Sequence, residues 1–194
     1  PRPARTLLKE DIPTYRASTL QACEAFADKP FDIVIYGCTA AGFLAGPQGD
    51  NDISQALSKR FGVETVTTAG SMVHVLQHEG AKCIDVVTPY LDSVNDGLKL
   101  CLNAGGIDVN VLDSFHCQTT AELGEIKSDQ VLVLARATAT PQGQAMFIAC
   151  SQLPTRDIIP TLRRELKRPV WSSIQATAWA VLTKLSQPLD RLVA

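Results

Sequence analysis

Two cysteines stand where a short apolar run gives way to small residues. Cys38 follows Phe31 to Tyr36 (FDIVIY) and Gly37, and precedes Thr39, Ala40, Ala41 and Gly42. Cys150 follows Ala145 to Ala149 (AMFIA) and precedes Ser151, Gln152 and Pro154. Apolar, β-branched-rich runs bounded by Gly or turn residues read as buried strands. A thiol at the carboxyl end of such a strand lies where α/β sheets build their sites. Where a helix opens directly after it, backbone N–H groups and the helix dipole favour a thiolate and hold anions. Two such thiols flanking one carbon can remove a proton on one side and deliver it on the other. One can instead attack while the other handles the proton.

The remaining candidates divide by placement. Cys23, Cys83 and Cys101 fall on helix faces or mid-strand and read as small hydrophobes. Cys117, beside His116, ends another strand and is a candidate for lining the same site. His74 and His78 share a helix face, but no third ligand motif accompanies them and no C-x-x-C occurs, so no metal is expected. Neither of the two commonest Gly-rich phosphate-loop patterns appears, and without a G-x-S-x-G elbow a serine hydrolase is not expected.

The elements that must position these thiols alternate in type. Strands are expected at 31–36, 63–68, 82–88, 109–115, 145–149 and 169–172, with helices from about residue 16 and at 52–61, 69–78, 91–103, 128–139, 157–167 and 174–185. Strands alternating with helices of this length mean βαβ units and parallel sheets. The order strand, Cys38, helix, strand, helix recurs as strand, Cys150, helix, strand, helix. The expected fold is therefore α/β, with two similar lobes of parallel sheet flanked by helices, related by a pseudo-two-fold, and a site in the cleft between them. The halves are expected to join near Gly80 or Tyr90; residues 1–88 are taken as the lobe carrying Cys38 and residues 89–194 as the lobe carrying Cys150, with the last helix free to pack back on the first lobe.

The bulk composition narrows the partners. The chain has 194 residues, 45% hydrophobic, with net charge −2. A nucleic-acid binder would carry a basic excess, so none is expected. No apolar run approaches the roughly 20 residues that cross a membrane, and the start has no apolar signal-type region. The reading is a cytoplasmic protein with reduced thiols.

Three stretches carry a family resemblance: IVIYGCTAAGFLAGPQGD, VVTPYLDSVNDGL and MFIACSQLPTRDIIPTLRRELKRPVWSSIQATAWAVL. The chain resembles the aspartate/glutamate racemase superfamily, in the branch holding maleate cis-trans isomerase and arylmalonate decarboxylase. The decarboxylase is similar around the second thiol but has glycine where this chain has Cys38, so two thiols lean toward the isomerase. The resemblance implies a cofactor-independent isomerase of a small dicarboxylate, with Cys38 as nucleophile and Cys150 managing the proton. It places Tyr90 on a substrate carboxylate, and backbone N–H groups near Thr39, Ala40, Ser151 and Gln152 at the charged ends. It also implies a homo-oligomer. Racemisation of an amino acid or hydantoin, arylmalonate-type decarboxylation, and a non-catalytic relative are the alternatives. The family's opening strand, with its Pro-Ser-x-Asn-like turn, is not found in this sequence, and His116 or Cys117 stands where a site asparagine is expected.

Overall fold

Asp85, in the middle of an apolar run, has no exposed surface, and its partners show how the larger sheet is assembled. The computed structural model describes residues 5–26, 29–189 and 192. Strand β1 (Val34–Tyr36) pairs in parallel with β2 (Thr65–Thr67). A second parallel sheet has the order β4 (Asp108–Ser114), β3 (Cys83–Thr88), β5 (Ala145–Ile148), β6 (Val170–Ser172). The helices are α1 (Ile12–Cys23), α2 (Thr39–Phe61), α3 (Thr68–His78), α4 (Asp92–Ala104), α5 (Thr120–Glu125), α6 (Ser128–Thr138), α7 (Ile159–Leu166) and α8 (Ser173–Lys184). β5 is fully buried, as the continuous apolar run AMFI requires of a strand covered on both faces.

The expected α/β architecture with parallel sheets is present, and one boundary changes. The strand at 82–88 was assigned to the first lobe, yet β3 hydrogen-bonds to β4 and β5. By sheet membership we place the lobe boundary at the turn containing Gly80, not after residue 88. α8 lies against α3 and β2, on the side of the first sheet. The internal repeat is β1-α2-β2-α3 against β5-α7-β6-α8.

Asp85 anchors the loop that feeds β5. Arg168 Nη2 donates to its Oδ2 at 2.7 Å, Asn110 Nδ2 to Oδ1 at 2.9 Å, and the Thr140 backbone N–H to Oδ2 at 2.8 Å. The same guanidinium donates to the carbonyls of Thr140 and Gly143. Removing one member leaves the other charge buried without its counterion. Arg168→Met is therefore expected to cost about 3 kcal/mol of stability in urea denaturation, and a loss below about 1 kcal/mol would mean the pair contributes little.

Asp50 ties α2 to the start of α3. Thr67 Oγ1 donates to its Oδ2 at 2.5 Å, while Oδ1 has no hydrogen-bond partner among the described residues. Gly42, one turn after Cys38, packs so closely on this carboxylate that a side chain there would collide with Oδ1. Burial pushes the Asp50 carboxyl above its usual range, against the opposing hydrogen bonds from Thr67 and Gly70 and the nearby His74. A group whose pKa rises on folding stabilises the fold below its unfolded value, and that contribution disappears as pH rises through the folded value. Asp50→Asn is thus expected to be more stable than wild type near pH 7, with the advantage shrinking toward about pH 4. Thermal melts across that range check this; an advantage that grew on acidification would reverse the sign.

Candidate active site

Each thiol is placed by a strand that ends at the same edge of its sheet. β1 runs through Gly37 into Cys38, which is the extended N-cap residue of α2. α2 then kinks where Gly46 adopts φ 72°, a left-handed conformation open to glycine, followed by Pro47. The kink divides a short segment beside the site from the longer helix behind it. β5 runs through Ala149 into Cys150, and the helix expected from residue 157 follows only after a segment of turns. Residues 151–158 form turns and α7 starts at Ile159. Cys150 itself has φ 101°. A side chain in that region is strained, and such residues cluster where function holds them. The Gln152 backbone N–H points at the Cys150 sulfur, at 3.5 Å.

Both thiols line one cavity of about 50 Å³, and both are buried. Thr39, Ala40, Tyr90, Ser151 and Gln152 line it with them. Cys117 is buried, is not among the lining residues, and donates its backbone N–H to the Pro89 carbonyl, in the wall that carries Tyr90. Burial, then Glu122 and Cys150, push its thiol up. His116 lies outside the lining as well, its Nδ1 3.4 Å from Asp92 Oδ1. Among the described residues no three His, Cys, Asp or Glu side chains gather as a metal-binding group.

Tyr90 joins the two halves chemically. Its side chain hydrogen-bonds with Cys150 and with Thr39, and its ring meets Phe43 of α2 edge to face at 5.6 Å. Burial raises its hydroxyl well above the ordinary tyrosine value, and the neighbouring Cys150 and Cys38 add to the shift. Tyr90 therefore stays a neutral donor beside either thiolate.

A hydroxyl relay missed by the sequence reading holds the thiol-bearing turns together. Ser173, fully buried, accepts from the Cys150 backbone N–H at 3.0 Å and from Thr39 Oγ1 at 3.1 Å. Thr39 Oγ1 also lies 3.2 Å from Ser151 Oγ, and Ser151 Oγ donates to the Gly37 carbonyl. The repeat contains the signal: Ser173 opens α8 after β6 as Thr68 opens α3 after β2, and Thr68 Oγ1 reaches the Tyr36 carbonyl at the end of β1. No site residue is expected from sequence in the segment before α1. That segment contributes Arg5, Thr6 and Leu7 to the lining, and Tyr15 of α1 follows.

The family model described as arylmalonate decarboxylase matches residues 14–192. The chain belongs to the arylmalonate decarboxylase family. Within or near that family, a maleate isomerase from Nocardia farcinica (strain IFM 10152) is 25% identical over 190 residues, covering 95% of this chain and 76% of the relative. An arylmalonate decarboxylase from Bordetella bronchiseptica is 24% identical over 143 residues, covering 73% of this chain and 60% of the relative. A solved structure of the Nocardia farcinica maleate cis-trans isomerase, a cysteine-to-serine mutant with a covalently bound succinylcysteine intermediate, superposes with a TM-score of 0.90. That structure is 23% identical and the match covers 97% of this chain and 82% of the other. The two-lobe α/β fold of the arylmalonate decarboxylase family is therefore the fold of this chain. No helix among the described residues is long and apolar enough to cross a membrane.

Proposed function

We propose that this protein is a cofactor-independent cis-trans isomerase of a small dicarboxylate, converting maleate to fumarate. The observation that carries the proposal is the placement of Cys38 and Cys150 in one small cavity, with the Tyr90 hydroxyl hydrogen-bonded to the second thiol. Cys38, as thiolate, attacks one olefinic carbon. The C–S bond forms as the π bond breaks, and the electron pair moves onto the adjacent carboxylate as an enediolate. The central bond is now single and rotates. Collapse of the enediolate re-forms the double bond in the trans sense and expels the Cys38 thiolate. Cys150 controls the proton at the second carbon, giving it to form a succinyl adduct and taking it back before elimination. Donors placed at the developing enediolate lower the barrier to it, and Tyr90 and the backbone N–H groups near Thr39, Ala40, Ser151 and Gln152 fill that role.

The alternatives fit less well. The decarboxylase pattern has glycine where this chain has Cys38, whereas here two thiols line one cavity. An amino-acid substrate brings an ammonium, and no carboxylate side chain lines the cavity among the described residues. The covalent succinylcysteine in the Nocardia farcinica relative supports a thiol-adduct route. The reading includes a reduced-thiol compartment, the cytoplasm, and a homo-oligomer. Leu100 of α4, Val133 of α6 and Ile174 of α8 are exposed apolar side chains that an interface would cover. Incubation with maleate, followed by proton NMR, is expected to give fumarate without any added cofactor. No fumarate at high protein concentration would end the proposal. Carbon dioxide from an arylmalonate, or exchange of an amino acid's α-hydrogen with deuterated solvent, would redirect it.

A further inference from the structure

One residue with a charged side chain stands among those that line the thiol cavity. Arg5 lines it, and no other Arg, Lys, Asp or Glu does so among the described residues. The segment that carries Arg5 crosses between the lobes. Arg5 forms an antiparallel bridge with Thr119, and the Thr6 backbone N–H donates to the Gln118 carbonyl at 3.0 Å, both in the loop before α5. Further along, Leu7 and Ile12 pack against the apolar clusters of both lobes. The strap is therefore held at Arg5 and Thr6 by the loop before α5 and at Leu7 and Ile12 by both lobes, while the Arg5 side chain stays half exposed.

Asp11 holds Arg5 without entering the cavity. Nη1 and Nη2 of Arg5 donate to the two Asp11 carboxylate oxygens at 2.8 Å each, and Nη1 also donates to the Thr6 carbonyl. Asp11 is absent from the lining. A guanidinium has five N–H donors in a planar fork, so these contacts leave donor capacity for a second carboxylate. The helix N-terminus at Thr39 and the Tyr90 hydroxyl can meet one carboxylate of a substrate near Cys38. A substrate with two carboxylates brings a second negative charge into a largely apolar space, where an unpaired charge is costly.

We infer that Arg5 is the specificity-determining residue that recognises the second carboxylate and makes this site select dicarboxylates over their monoamides. The inference rests on the isomerase reading only for the class of substrate. Asp11 sets the orientation of the guanidinium and offsets part of its charge, so it tempers the affinity.

Calorimetric titration with two saturated, unreactive analogues tests this on the whole chain. Succinate carries both carboxylates; succinamate carries one carboxylate and one amide. The wild-type protein is expected to prefer succinate by at least about tenfold, as a charge-assisted fork contact implies. In Arg5→Gln that preference is expected to fall to within about threefold, and in Arg5→Lys to be intermediate, because lysine keeps the charge and loses the fork. Asp11→Asn separates recognition from mere latching of the strap. It breaks the same ion pair but leaves the guanidinium charge in place, so succinate binding is expected to hold or tighten. Parallel weakening of both analogues in Arg5→Gln, or equal loss in Asp11→Asn and Arg5→Gln, would make Arg5 a structural latch and overturn the assignment. So would a wild-type protein with no preference for succinate. If maleate gives no fumarate while succinate binding still depends on Arg5, the isomerase reading falls and the dicarboxylate assignment stands.

Discussion

A Cys38→Ala variant is expected to convert maleate to fumarate at least about 10³-fold more slowly than the wild-type protein, a barrier increase of about 4 kcal/mol. The size of the effect follows from what the thiol does. Without a sulfur to add to the olefin, the central bond keeps its double-bond character and cannot rotate. The remaining donors at Tyr90 and the turn N–H groups polarise a carboxylate but form no bond to carbon. Cys38→Ser is expected to be almost as slow, because a serine hydroxyl is far less ionised than a thiol near neutral pH. The substitution removes one atom from a site that is buried yet opens on the cavity, so the melting temperature is expected to change little. NMR rates at saturating maleate, with melts on the same samples, test both halves. Near-native turnover in Cys38→Ala would remove the covalent route. A Cys38→Gly variant, which recreates the residue found in decarboxylase-like sequences, tests the decarboxylase alternative directly: carbon dioxide released from an arylmalonate by this variant would favour it.

What the sequence made legible was local in origin. The apolar runs ending at Gly37-Cys38 and Ala149-Cys150 encode strands and place both thiols at strand ends. The repeat of strand, thiol, helix, strand, helix was visible for the same reason. The lobe boundary was not, because β3 is equally apolar in either sheet and only hydrogen bonding to β4 and β5 assigns it. α5 is short, but its signal was present: Thr119 caps it, accepting from the Glu122 N–H, and Glu122 accepts from the Gln118 N–H. Arg5 was illegible, since its place in the cavity depends on a bridge to Thr119, more than a hundred positions away. The turn at Cys150 was also illegible. Nothing in the residue type cysteine encodes a positive φ; the surrounding hydrogen bonds impose it.

That turn sets up the second large effect. Cys150→Ala is expected to slow turnover by about 10² to 10⁴-fold, the range for loss of a positioned proton donor and acceptor. It differs from Cys38→Ala in what it leaves behind. Cys38 can still add to the olefin, so intact-protein mass spectrometry after incubation with maleate is expected to show protein bearing one substrate mass, absent in Cys38→Ala. A Cys150→Ala protein with full turnover would remove Cys150 from the mechanism. The backbone supplies an independent check. Cys150 is held at φ 101°, where glycine is at ease and any side chain is strained by about 1 kcal/mol or more. Its N–H is fixed by Ser173 Oγ, which also takes the Thr39 hydroxyl, so the strained turn is tied to the Cys38 side of the cavity. Cys150→Gly should therefore be as inactive as Cys150→Ala and yet melt higher than it. If the thiol were only a packing group, glycine would be the better residue at this position on stability alone. The strain is then the cost of aiming a sulfur into the cavity at the olefinic carbon next to the one that Cys38 attacks. A Cys150→Gly variant that melts below Cys150→Ala would show that the turn stores no such strain.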